Sequence, residues 1–304
     1  MTDQIQSIAG GSEVKDRPVD DERAASLWSD AWRVLIRRPV AVGAFIVILM
    51  MSSMAAFPKL WTRVDHDACD ITQSKLKPSA EHIFGTNERG CDYYSMTVHG
   101  ARASILVAVL STLAVLIVGG LLGMLSGFYG RWLDAVLSRV GDIFFALPLL
   151  LGALVFLSLL QSQSIWSVVG ALSVLGWPGM ARIIRASVLS TKNMDYVAAA
   201  RSLGASDSRL LFRHIMPNAI APAIVVATIA LGGYVAVEAT LSFLGIGLQP
   251  PAVSWGIMIN QGDDWVTQGY PHLMLFPAAF LSITVLSFIL LGDALRDALD
   301  PKLR

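Results

Sequence analysis

The chain has 304 residues, of which 54% are hydrophobic and only 15% charged, and its formal net charge is zero. A soluble domain carries about a quarter charged residues, so this composition, with a mean hydropathy of +0.59, places the chain in a bilayer. A zero balance gives no support to nucleic-acid binding, and no lysine precedes Ser or Thr, so the phosphate-loop ending GK[ST] is absent.

Residues 1–38 begin with a polar, acidic stretch without an apolar run, which predicts a largely disordered tail rather than a cleaved signal peptide. Beyond it, about six apolar runs reach the roughly 20 residues that a bilayer requires. They are Val40–Phe57, Ala103–Phe128, Leu137–Leu160, Ile165–Ile184, Ala219–Leu244 and Leu273–Leu291. The expected fold is therefore an all-α integral membrane protein, with residues 39–304 as one transmembrane domain.

Basic residues orient the spans. Arg33, Arg37 and Arg38 precede the first, Arg131 and Arg139 separate the second and third, and Arg182, Arg185, Lys192, Arg201, Arg209 and Arg213 cluster around the fourth-to-fifth connection. The positive-inside rule puts these, and both termini, in the cytoplasm of a multi-pass protein of the cell membrane. Residues 58–102 and 245–272 then face outward. Cys69 and Cys91 fall on that oxidising side and read as a structural disulfide, with two free thiols as the alternative.

Within the second span, Gly119, Gly123 and Gly127 recur every four residues, a pattern that lets another helix approach closely, either within the chain or from another subunit. Asp142 and Glu238 are the carboxylates near span ends, where a functional role and an ordinary hydrogen-bonded one are equally open. No acid–histidine chain crosses the membrane, which counts against a proton-coupled carrier, and no catalytic cluster suggests a membrane enzyme.

The polar connection 190–217 reads as two short helices about a hinge. Asn193 is the expected N-cap of the first and Gly204 its stop; Ser206 is the expected N-cap of the second, Asp207 lies in its first turn, and Pro217 follows its end. This loop resembles the EAA loop of ABC importer permeases: Ala199, Ala200, Gly204 and Pro217 fit the pattern, while Ala198, His214 and Met216 depart from it. GTNERGCDYYSMTVHGARASILVA (Gly85–Ala108), EATLSFLGIGLQPPAVSWG (Glu238–Gly256) and GDALRDALDPKLR (Gly292–Arg304) are similar to stretches of dipeptide and oligopeptide permeases of the C type, whose relatives also carry nickel or glutathione.

The resemblance implies a type I importer permease fold and a division of labour. This chain, itself no enzyme, would pair with a second permease to form the path. Two ATPase subunits would hold ATP and Mg, leaving this chain without a cofactor, and an outer binding protein would deliver peptide. Asp195, Tyr196, Val197, Ala198, Ala199, Ala200, Arg201, Leu203, Gly204, Ser206, Asp207 and Arg209 would dock on the ATPase. Glu238, Pro250, Pro251 and Trp255 are candidates for a gate or for contact with the binding protein. The rival from another class is a stand-alone carrier driven by an ion gradient.

Overall fold

The computed structural model describes residues 27–299, and its regular structure there is helical, with only two isolated β-bridges. Among the described residues five helices are long and apolar enough to cross a membrane: α2 (Pro39–Ala56), α3 (Tyr93–Tyr129), α6 (Ile165–Thr191), α10 (Ala221–Phe243) and α12 (His272–Leu299). Residues 1–26 of the expected disordered tail lie outside the described residues. The tail's end is not disordered: Leu27–Leu35 forms helix α1, which packs along α12. Arg38 fixes that junction through a 2.6 Å ion pair with Asp297.

α3 starts ten residues before the apolar run because Asp92 caps it, accepting from the Ser95 amide at 2.8 Å. Its 37 residues span roughly 55 Å at about 1.5 Å per residue, more than the hydrocarbon needs. The third apolar run is not one helix. It divides into α4 (Arg131–Phe145) and α5 (Leu149–Leu160), bent by 86°. Pro148 explains the break: it has no N–H to continue the ladder, and it disfavours helical geometry at Leu147. α5, with 12 residues, reaches only roughly 18 Å and cannot cross the bilayer alone. Among the described residues the candidate crossings are thus five, or six if the bent pair counts as one.

The glycine row in α3 faces α6 of the same chain, which decides between the two readings left open by sequence. A Cβ at Gly119 would lie 2.6 Å from the Trp177 carbonyl oxygen, one at Gly127 2.9 Å from Val188 Cβ, and one at Gly123 would strike the Ala181 carbonyl. The two backbones are in contact, so α3 and α6 form the seam on which the bundle is built. α10 and α12 pack beside them in the same manner, with Gly232 against Val285 and Gly292 against Ile229. Because overpacking of a filled contact costs about 1–3 kcal/mol, Gly123→Leu is expected to lower the thermal midpoint of the detergent-purified protein by several degrees. Gly170→Ala, where an added Cβ meets nothing within 4 Å, should leave the midpoint unchanged or slightly raised.

Candidate functional site

The connection after α6 forms a compact corner. Asn193 does not cap the next helix; its side chain donates to the Leu189 carbonyl at 3.0 Å and so finishes α6. α7 (Asp195–Ser202) starts from Met194 without a side-chain cap, leaving Asp195 to complement the helix dipole. Gly204, at φ +80°, ends it in a Schellman turn. The Gly204 amide donates to Arg201 O (3.0 Å) and the Ala205 amide to Ala200 O (3.1 Å).

Ser206 occupies the next N-cap position, but its hydroxyl faces Ser208 rather than an amide. One α-turn, α8 (Asp207–Arg209), leads into a π-helical turn (Leu210–Ile215) and then α9 (Met216–Ala219). Pro217 therefore does not follow a helix end. It lies in the first turn of α9, where its missing N–H leaves little unsatisfied, and the wider π-turn before it accommodates the ring.

Few contacts hold the corner to the body. Val197 is the one buried residue of α7, and Leu210, Leu211 and Ile215 bury the second arm. Asn218 Nδ2 donates to Tyr196 Oη at 3.0 Å, tying the two arms together. At the base, Lys192 Nζ donates to the Gly127 carbonyl at 2.7 Å, joining the corner to the glycine seam. Asp195, Tyr196, Ala198, Ala199, Arg201, Gly204, Ser206, Asp207 and Arg209 all face outward, and Ala200 is half-buried. Leu203 is 89% exposed at the tip, and nothing lies within 4 Å of a Cβ built on Gly204. Met194 and Phe212 are exposed beside this surface and escaped the sequence reading. Their signal is an apolar side chain inside a polar loop, visible in sequence but without a periodicity to assign its face.

α4 is braced against α6 next to this corner. Arg185 Nη2 pairs with Asp134 Oδ2 at 2.6 Å, and Arg182 Nη2 with Asp142 Oδ1 at 3.3 Å while lying 4.1 Å over the Phe145 ring. Asp142 is half-exposed in an ordinary ion pair rather than a membrane-buried carboxylate. A cavity of about 150 Å³ lies under these pairs, walled by Ser126, Gly141, Trp177 and Pro178 among others.

At the opposite end of the bundle, residues 57–92 fold over the head of α3. Cys69 and Cys91 are joined in a disulfide. Thr72 donates to Asp70 through its hydroxyl and its amide, holding that carboxyl below its usual range. His82 bridges Asp92 (2.9 Å) and Gln73 (3.1 Å). Tyr93 Oη donates to the Leu273 carbonyl, and Lys75 lies 3.8 Å over the Trp265 ring of α11 (Trp255–Val266). Of the four outer candidates, Pro250 and Pro251 are exposed at a loop tip. Glu238 and Trp255 have no exposed surface, so as surface contacts for a partner they are corrected: both brace the interior.

Comparison with known proteins agrees with this architecture. Residues 119–304 match the model for binding-protein-dependent transport system inner membrane components, and residues 26–78 match the N-terminal transmembrane domain of oligopeptide transport permease C. The oligopeptide transport system permease protein OppC of Bacillus subtilis is 38% identical over 93% of this chain and 92% of its own length. The dipeptide transport system permease protein DppC of the same organism is 37% identical over 95% and 91%. The glutathione transport system permease protein GsiD of Pectobacterium atrosepticum is 35% identical over 94% and 95%. A crystal structure of an amino acid ABC transporter with histidines shares the fold at a TM-score of 0.51 and 20% identity, over 66% of this chain and 92% of that one. The chain belongs to the family of binding-protein-dependent transport system inner membrane components.

Proposed function

We propose that this chain is one of two permease subunits lining the membrane path of an ATP-driven importer for dipeptides or oligopeptides. The observation that carries this reading is the corner at Leu203 and Gly204. An exposed apolar tip with open space before it, on a short helix braced by the buried Val197, is a surface shaped for a groove on another protein. The occupant would be a cytoplasmic ATPase subunit, which holds the ATP and Mg and whose closure the corner would transmit to the spans. The small residues Ala198–Ala200 permit close approach, and Asp195, Arg201, Asp207 and Arg209 supply a charged rim.

The same reading puts the 195–217 corner, α1 and both termini in the cytoplasm, following the basic residues. The disulfide-bonded 57–92 segment and the Pro250–Pro251 tip then face an outer binding protein. Alternating access between the two sides would follow from closure of the ATPases below. The glutathione permease among the relatives favours one further cargo, a γ-glutamyl peptide, and nickel is the third to be compared.

Uptake into cells or inside-out-controlled vesicles tests the reading directly. Labelled dipeptide should accumulate only with ATP and with the partner subunits, and should outcompete nickel. Uptake driven by an ion gradient without ATP would favour a stand-alone carrier instead. Leu203→Glu is expected to abolish uptake and ATPase recovery while leaving membrane levels unchanged, since Leu203 makes almost no contact within the chain; normal uptake by this variant would contradict the docking role. Orientation has its own check. A cysteine at Leu203 should react with an impermeant maleimide only in inside-out vesicles, and one at Pro250 only in right-side-out vesicles.

A further inference from the structure

Glu238 lies near the end of α10, is fully buried, and is where α3, α10 and the 245–254 segment meet. Its Oε1 accepts from Ser242 Oγ at 2.8 Å, and Ser242 Oγ accepts in turn from the Leu248 amide at 3.0 Å. The hydroxyls of Ser104 on α3 and Ser254 before α11 lie beside the carboxyl. Ser104 Oγ and Glu238 Oε2 nevertheless stop short of a fully formed hydrogen bond. Ser254 also caps α11, accepting from the Ile257 amide at 3.3 Å. Around this junction Trp255 Nε1 donates to the Thr97 carbonyl at 3.0 Å, and Asn260 Nδ2 to the Phe243 carbonyl at 2.8 Å. A Cβ on Gly256 would stand 2.7 Å from Ala239 Cα, so the start of α11 lies directly on α10.

A buried carboxyl is a costly way to fill this space, since a leucine would pack it without unsatisfied oxygens. What the carboxyl adds is direction: its Oε1 fixes the Ser242 hydroxyl, which in turn accepts from the Leu248 amide and ties α10 to the 245–254 segment. We infer that Glu238 is a positioning residue which makes residues 245–266 move with α10 as one body, carrying the exposed Pro250–Pro251 tip. α10 begins where α9 ends, so displacement of the docking corner would reach the outer tip along a continuous stretch of chain. This role rests on the importer reading, because only a permease that moves needs a tip that follows.

The test uses the assembled importer in proteoliposomes with Pro250→Cys as reporter; Cys69 and Cys91, joined in a disulfide, do not react with maleimide. The labelling rate by an impermeant maleimide is compared without nucleotide and with ATP plus vanadate. In the reporter parent the rate should change on trapping. With Glu238→Ala the change should fall to less than half, while ATPase recovery with the chain is unaltered. Ser242→Ala should behave alike and carries the test if Glu238→Ala fails to assemble. Glu238→Gln, which keeps an Oε1 acceptor for Ser242, should restore most of the response. A full response in both Glu238→Ala and Ser242→Ala overturns the positioning role alone. A parent without any nucleotide response overturns the importer reading with it.

Discussion

The α3–α6 contact is the constraint from which the rest follows. Three glycines at four-residue intervals let two long helices touch backbone to backbone, at a closeness that a side chain at any of the three would forbid. In a bilayer, where apolar helices gain nothing by leaving lipid, such close dispersion contact is a principal source of helix association. The seam also sets the position of the functional corner. α6 leads through the turn at 192–194 into α7, Lys192 ties the corner to the carbonyl of Gly127, and the two arginines of α6 hold α4 beside it. A shift along the seam would displace all three.

The two ends of the bundle are built on opposite principles. The end that carries residues 57–92 is cross-braced by a disulfide, the Asp92 cap, the His82 bridge, the Tyr93 hydroxyl, the Trp255 indole and the Glu238 junction. The other end projects a corner whose first arm is held by one buried valine, one tyrosine hydroxyl and one lysine, the second arm being anchored by Leu210, Leu211 and Ile215. The α7 arm therefore exposes most of its residues and an apolar tip at Leu203. That asymmetry suits a protein that receives force at one end and presents a shaped surface at the other.

Much of this was legible in sequence because it depends on local rules. Long apolar runs gave the spans, Gly204 the helix stop, and the glycine spacing a close packing face. What escaped was set by tertiary context. The break at Pro148 hides inside an apolar run, where hydropathy is blind to backbone geometry. The early start of α3 depends on a cap that only matters once residues 57–92 fold onto it. Pro217 reads as a terminator, yet the π-turn before it lets the helical path continue. Glu238 and Trp255 lie in a segment that resembles an outward loop, and only packing reveals that they face inward. Met194 and Phe212 carry no pattern to show that they flank an exposed corner.

Family membership and the exposed corner support the proposed account, a permease whose corner docks on a partner outside the bilayer. Affinity purification of the chain from its native membrane, with mass spectrometry of what accompanies it, tests that account most directly. It predicts recovery of a second permease and of ATPase subunits. A chain that purifies alone and transports after reconstitution without ATP would contradict it.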